Sequence, residues 1–305
     1  MRIDLHAHST ASDGTDTPAQ LVAAAAAAGL DVLAVTDHDT TAGWGAALAA
    51  RPNRLTIVPG AEFSCFHLGE DGRRISLHVL GYLFDPEHAE LRAARARLRE
   101  SRLGRGRRIV ENLAADGYAV TWDRVSALAA GGAIGRPHIG RALVEVGAEP
   151  DVDTAFAQLL SSRQKYYVRK EDLPVLDAVR LIRAAGGLPV FAHPLARRRG
   201  PVVGPDVIAA MAHAGLVGIE VDHPDHGAAD RAEAAGLARE LGLVGTGSSD
   251  YHGANKATRL GDRITEPDQY ARLLAFPTAR RPAESPAESP AESPAESPAE
   301  SPAES

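Results

Sequence analysis

The sequence predicts an α/β protein whose strands close or distort into a barrel, interrupted by a small all-helical insert. Three observations carry this expectation. Short apolar, β-branched runs alternate with helical patterns. The alternation stops between residues 100 and 165 and then resumes. Histidines and carboxylates recur where the apolar runs end.

Residues 2–6 read as a first buried strand. Thr17 offers an N-cap and Pro18 a first helical position, and the alanine-rich helix that follows stops at Gly29. Residues 31–36 (DVLAVT) form the second strand, 55–62 the third and 75–83 the fourth. From Glu87 to Ala115 the chain is Arg-rich and helical, with a break expected near Gly104-Arg105-Gly106. Helical patterns over 122–130, 137–146 and 152–160 follow with no strand between them. The expected organisation is therefore a discontinuous barrel domain, 1–99 and 166–281, with a helical insert over 100–165. After the insert, helix 176–185 leads to strand 188–192, helix 206–214 to strand 216–221, and helix 228–241 to strand 243–247. Repeated strand–helix units imply parallel strands joined by right-handed crossovers. Seven strands suit a closed or distorted barrel better than an open sheet.

The last 24 of the 305 residues, 282–305, are six copies of Pro-Ala-Glu-Ser. Proline at every fourth position forbids a stable helix, so a disordered acidic tail is expected. That tail holds six of the forty acidic residues, leaving thirty-four acids against thirty-three bases elsewhere. A body so balanced gives no argument for binding long duplex nucleic acid or a membrane surface. The single cysteine, Cys65, excludes an intramolecular disulfide. The start of the chain has one basic residue and no long apolar region, and no run of about 18 apolar residues occurs. A cytoplasmic location is the resulting expectation; the oligomeric state stays open.

In parallel α/β architectures, function gathers at the carboxyl ends of the strands. His6 and His8 close the first strand, with Asp13 on the loop after it. Asp37 and His38 close the second and Glu62 the third, and His78 lies within the fourth. His193 closes the strand after the insert, and Asp250 and His252 follow the last strand. Nine residues of ligand type (His6, His8, Asp13, His38, Glu62, His78, His193, Asp250 and His252) would share one rim. Six imidazoles with three carboxylates suit Zn, Mn or Fe rather than Ca or Mg alone. One ion takes about four to six ligands, so nine fit two or three ions with a bridging carboxylate. Alternate residues of a strand share a face, which lets His6 and His8 reach one ion together while Ala7 turns away. Such sites hydrolyse phosphate esters well. Glu220, His223 and His226 near the end of strand 216–221 are placed outside the direct ligands, and His67, His88 and His213 among structural or surface histidines.

The ordered stretches DLHAHSTASDG, TDHD, GAEFS, LHVLGY, AHP and GSSDYHG resemble the successive motifs of the PHP (polymerase and histidinol phosphatase) family, over residues 1 to about 265. The resemblance implies a distorted (β/α)7 TIM-like barrel with a site for two to three divalent ions, Mn first, then Fe or Zn. Carried over by position, His6, His8, Glu62 and Asp250 would bind one ion. Glu62 would bridge to a second held by His78 and His193, and Asp13, His38 and His252 would hold a third. Asp37 would orient a ligand from outside. Asp13, His38, His252 and Glu62 would surround a metal-bridging hydroxide that attacks phosphorus.

The helical insert resembles the stand-alone branch similar to 3′,5′-nucleoside bisphosphate phosphatases, some of which trim short RNA from the 5′ end. There the insert supplies arginines to the substrate phosphate. The matching residues are Arg102 and Arg136, with Arg105 and Arg197 as further candidates. Two departures bear on substrate choice: Leu103 follows Arg102 where relatives often show Asn, and Ala196 stands where relatives place an arginine after the AHP motif. The expected activity is a metal-dependent phosphatase acting on a small nucleotide. The alternatives are a histidinol-phosphate-type phosphatase or other small-molecule phosphodiesterase, and a non-catalytic metal-stabilised binding module.

Overall fold

The computed structural model describes residues 1–280 and residue 282. The tail expectation for 282–305 lies, but for residue 282, outside the described residues. Strands β1 (Ile3–Asp4), β2 (Val32–Val35), β3 (Thr56–Leu68) and β4 (Arg74–Tyr82) pair in sequence, with the two-residue β5 (Leu173–Pro174) set beside β3. The sheet then continues from β4 to β6 (Leu188–Phe191), β7 (Gly218–Asp222) and β8 (Val244–Gly247). Beyond the ladder ends, Ala7 bridges Tyr251 in parallel and the His8 N–H donates to the Tyr251 carbonyl at 2.8 Å. The segments after β1 and β8 thus meet, and the sheet is a nearly closed barrel of seven strands.

The strands are not all parallel, as the alternation had implied. β4 runs antiparallel to both β3 and β6. The reason is chain length: only residues 69–73 separate β3 from β4, and a parallel return needs a dozen residues or more. Gly72, at φ 75°, sits in the turn, and the Gly69 N–H donates to the Arg73 carbonyl.

Strand residues of one parity (Ile3, Leu5, Val32, Ala34, Val58, Val190 and Val244) pack in one cluster with Tyr270 and Leu273 of the last helix, Pro267–Leu274. The other parity (Leu33, Val35, Ile57) packs under α1 (Pro18–Ala27) through Leu21, Val22 and Ala25. This is the period-two division a barrel wall requires, and each fully buried Leu, Ile or Val contributes about 1.5–3 kcal/mol. Thr17 caps α1 as expected, with Gln20 completing a reciprocal pair of cap bonds. A short helix α2 (Trp44–Ala49), not foreseen in the sequence, follows β2.

Helix α3 (Ala89–Ala115) is continuous through Gly104–Gly106, contrary to the expected break. Gly106 serves close packing instead: a Cβ there would lie 3.2 Å from the Trp122 ring and 3.3 Å from Ile134. Leu91, Ala94 and Leu98 of α3 join a barrel cluster with Phe63 and Phe84. Ile109, Val110 and Leu113 join a separate cluster with α4 (Trp122–Ala129), α5 (Arg136–Glu145) and α6 (Val152–Ala155). One rigid helix therefore crosses residues 99–100 and ties the two cores together. Helices α7 (Val175–Ala184), α8 (Pro205–His213) and α9 (Ala228–Glu240) return the chain to the barrel. Among the described residues, no helix is long and apolar enough to cross a membrane.

Candidate metal centre

His6 and His8 follow β1, are fully buried and face the same side, while Ala7 joins the cluster under α1. Their Nε2 atoms stand 3.0 Å apart. His6 Nδ1 lies 3.1 Å from Glu220 Oε1, which assigns the proton to Nδ1 and the lone pair to Nε2. His8 Nδ1 lies 3.4 Å from Ser12 Oγ, whose own proton goes to Asp37 Oδ1 at 2.7 Å. His8 Nε2 therefore also carries a lone pair. Asp37 further accepts from the Ser9 N–H and hydroxyl, so it orients a ligand from outside the cluster. Two lone pairs pointed at each other across 3.0 Å need a cation or proton to share.

Glu62 joins the two ends of the site. Its Oε2 lies 3.3, 3.2 and 3.0 Å from His6 Nε2, His8 Nε2 and His38 Nδ1. Its Oε1 lies 2.6 Å from His78 Nδ1 and 3.0 Å from His193 Nε2. Asp13 lies 3.6 Å from His38 Nε2, 3.5 Å from His252 Nε2 and 3.7 Å from His8 Nδ1. His252 Nδ1 lies 2.8 Å from the Asp250 carbonyl, which leaves its Nε2 free to face Asp13. All nine sequence candidates thus stand in one connected cluster. Their donor atoms converge in three overlapping groups: His8, Asp13, His38 and His252; His6, His8 and Asp250; and His38, Glu62 and His78. The grouping differs from the expected partition in sharing His8 and His38 between groups. His193 stands beside Glu62 without belonging to any of the three.

The residues fit divalent ions on two grounds. Asp13 Oδ1, His38 Nδ1 and His78 Nδ1 are buried without a hydrogen bond of normal geometry, an arrangement costly for polar atoms with no partner. Borderline imidazole donors mixed with carboxylates match Mn, Fe and Zn. Burial favours neutral carboxyls, yet the surrounding imidazoles, and Lys256 at Asp250, hold Asp13, Glu62 and Asp250 well below the usual carboxylate range. Burial likewise opposes protonation of His6 and His8. Glu62, Glu220 and Asp250 outweigh it at His6, and hydrogen bonds to Asp250 and Glu62 raise His8 to about 9. His193 goes the other way, to about 3, through burial and the Arg199 charge.

Backbone strain is concentrated here. His193 (φ 31°), Asp250 (φ 50°) and Asp39 (φ 55°) all hold left-handed conformations that non-glycine residues avoid. Each is fixed by its surroundings: the His193 N–H donates to Glu220 Oε2 at 2.6 Å, Asp39 accepts from the Ser64 N–H and hydroxyl, both at 2.8 Å, and Asp250 Oδ2 accepts from Arg199 and Lys256. Glu220, placed by the sequence outside the direct ligands, holds both His6 and His193 and accepts from the Ser248 hydroxyl.

The four arginine candidates divide. Arg102 is buried, with Nε 2.5 Å from Asp39 Oδ2 and an Nη 2.6 Å from Ser64 Oγ. Arg105 is buried, its Nε lacks a hydrogen-bond partner, and burial together with the Arg136 and Arg102 charges pushes it well below its usual value. Arg136 donates to the Leu160 carbonyl at 3.0 Å and stands 5.3 Å from the Phe156 ring. The structure does not bring Arg197 to the cluster: it pairs with Asp230 and Glu233 of α9 and is half exposed. That position is fixed by α9 carboxylates that spacing within AHPLARRRG could not reveal. Arg199, two residues later, reaches Asp250 instead, as does Lys256. Sequence reasoning missed both, along with Asp39. Asp39 in TDHDT had a visible signal, a carboxylate at a strand end.

Comparison with known proteins agrees with this geometry. The PHP domain model matches residues 4–115. The chain is 35% identical to a 3′,5′-nucleoside bisphosphate phosphatase of Chromobacterium violaceum, over 84% of this chain and 89% of that protein. It is 37% identical to a phosphoribosyl 1,2-cyclic phosphate 1,2-diphosphodiesterase of Eggerthella lenta (86% and 98%) and 34% identical to a 5′-3′ exoribonuclease of Haemophilus influenzae (82% and 90%). The crystal structure of a protein designated a metal-dependent phosphoesterase from Bifidobacterium adolescentis superposes with a TM-score of 0.82 at 34% identity, covering 90% of this chain and 96% of that one. The chain belongs to the PHP family of metal-dependent phosphoesterases, and it is a hydrolase of that kind.

Proposed function

We propose that this enzyme removes the 3′-phosphate from a nucleoside 3′,5′-bisphosphate, leaving the nucleoside 5′-monophosphate, and that it also trims short RNA from the 5′ end. The observation that carries the choice is Arg105, a buried cation with an unpaired nitrogen beside Arg136 and Arg102. A second phosphate would relieve that like-charge crowding and accept from the free N–H. Arg136, packed against the Phe156 ring, would share in holding that phosphate. Arg102, already committed to Asp39, adds its positive charge beside both.

The nine cluster residues would hold two to three divalent ions, with Mn preferred. Bound there, such ions supply Lewis acidity and a nucleophile available near neutral pH. Glu62 bridges the His6–His8 end and the His78–His193 end. Asp13, between His38 and His252, is set to orient the attacking water. Glu220 and the Ser12–Asp37 pair keep His6 and His8 turned inward with Nε2 free. Most of the cluster residues are buried, and charges interact more strongly there than in open water. We assign residues 100–165 to the substrate-recognising insert, 1–99 and 166–281 to the barrel, and the cytoplasm as the site of action.

The test is a phosphate-ester panel on the Mn²⁺-loaded full chain: adenosine 3′,5′-bisphosphate, phosphoribosyl 1,2-cyclic phosphate, a 5′-phosphorylated short RNA and histidinol phosphate. The bisphosphate should turn over with the highest kcat/KM, yielding the 5′-monophosphate. A preference for the cyclic phosphate or for histidinol phosphate would reassign the substrate. Turnover of none of them would leave a metal-stabilised binding module.

A further inference from the structure

Asp250 uses its two carboxylate oxygens for different purposes. Oδ1 faces the cluster, 3.5 Å from the Nε2 atoms of both His6 and His8 and 3.4 Å from His252 Nδ1. Oδ2 faces away from it and meets Lys256 Nζ at 2.6 Å, an Arg199 Nη at 2.7 Å and His223 Nε2 at 3.3 Å. Arg199 is itself anchored, with Nε 2.5 Å from Asp225 Oδ2. The Asp225 N–H in turn donates to His223 Nδ1 at 3.0 Å, which puts the His223 proton on Nε2, toward Asp250. The participants come from the loops after β6, β7 and β8 and meet on one oxygen atom. Arg199 and Lys256 are only partly covered, their side chains 37% and 31% exposed, whereas Asp250 is 3% exposed.

Two full positive charges on one oxygen have two physical consequences. The carboxylate cannot rotate to offer both oxygens to an ion, because Oδ2 is committed. Its negative charge is also drawn away from the cluster, and both cations repel a dication on the Oδ1 side. We propose that Arg199 and Lys256 form a clamp that fixes Asp250 as a one-oxygen donor and weakens the hold of the cluster on the divalent ion it faces. That position then exchanges its ion more readily than the others and keeps more positive charge for a substrate phosphoryl oxygen. The inference rests on reading the cluster as a divalent-ion site. Arg199 and Lys256 act through Asp250, so they are positioning residues.

The sign of the effect separates this from a scaffolding role. In Arg199→Met, Lys256 and His223 still hold Oδ2, so the orientation of Asp250 survives while one positive charge is lost. Titrating chelator-treated full chain with MnCl2 by calorimetry, with ions counted per chain by mass spectrometry, should show the weakest Mn²⁺ site tightening by about tenfold. Lys256→Met should tighten it in the same direction, and it serves if the arginine variant does not fold. Arg199→Lys, which keeps the charge, should stay within about threefold of the wild type. A purely structural role would weaken binding in both methionine variants. Unchanged or weaker binding in both overturns the clamp while leaving the metal site intact. A wild-type chain that binds no divalent ion overturns the metal-site reading and the clamp with it.

Discussion

Arg102→Met probes a buried ion pair that links α3 to the loop after β2. Arg102 projects from the middle of α3 and pairs with Asp39 across 2.5 Å, with side-chain exposures of 6% and 0%. Burial alone would raise the Asp39 carboxyl, but Arg102 and then Lys170 hold it well below the usual range. Removing the guanidinium leaves Asp39 buried in a left-handed backbone conformation, with the Ser64 donors and the Lys170 charge as the remaining compensation. Breaking a buried pair from one side costs about 3–5 kcal/mol. For a folded body of about 280 residues that corresponds to a fall in Tm of about 5–9 °C. The assay is thermal unfolding followed by circular dichroism, in metal-free buffer so that ion binding does not mask the change. The double variant Arg102→Met/Asp39→Asn removes both charges and should recover about half of the loss. A single variant that loses less than about 1 kcal/mol would refute the reasoning. So would a double variant as unstable as the single one, since an uncompensated charge would then not be the cause.

Other consequences follow from individual contacts. Glu220→Gln keeps the shape but removes the carboxylate from His6 Nδ1 and the His193 N–H; divalent-ion affinity should fall about 10- to 100-fold by calorimetry. Gly132→Ala should disturb the seam between insert and site, because the added Cβ would sit 2.2 Å from the Thr10 carbonyl. A loss of about 1–3 kcal/mol in denaturant unfolding, with a raised KM for the nucleotide, is expected. In the metal-free protein His8 is raised from 6.5 to about 9. Its protonation therefore favours the folded chain fully below pH 6.5, and that contribution disappears as pH rises through 9. The metal-free midpoint should decline across pH 6.5–9 relative to the Mn²⁺-loaded midpoint, and Mn²⁺ loading at pH 7.5 should release protons to the buffer.

The sequence made most of the site legible because ligand types recur at strand ends, and a strand end has one direction to point. His6 and His8 needed only the two-residue strand period to be placed together. The antiparallel course of β4 was also written in the chain, in the five residues between Leu68 and Arg74, but the repeated strand–helix rhythm obscured it. Gly104 and Gly106 misled for a different reason. Helix breaking and close packing call for the same residue, and only the position of Trp122 against Gly106 decides between them. The arginines were least legible. Arg197 and Arg199 differ by two residues in an irregular loop, where no periodicity fixes direction. The α9 carboxylates capture one and Asp250 the other. Asp39 escaped notice because its partner lies 63 residues away in the chain, on α3.

If the strand ends of this barrel converge to hold several ions in one pocket, His8 is shared between neighbouring positions. Counting Mn ions per chain by mass spectrometry, in the wild type and in His8→Ala after equilibration and removal of free metal, tests it most directly. At least two ions per wild-type chain, falling by one or more in His8→Ala, is the predicted result. One ion or none in the wild type, or a count that His8→Ala leaves unchanged, would contradict it.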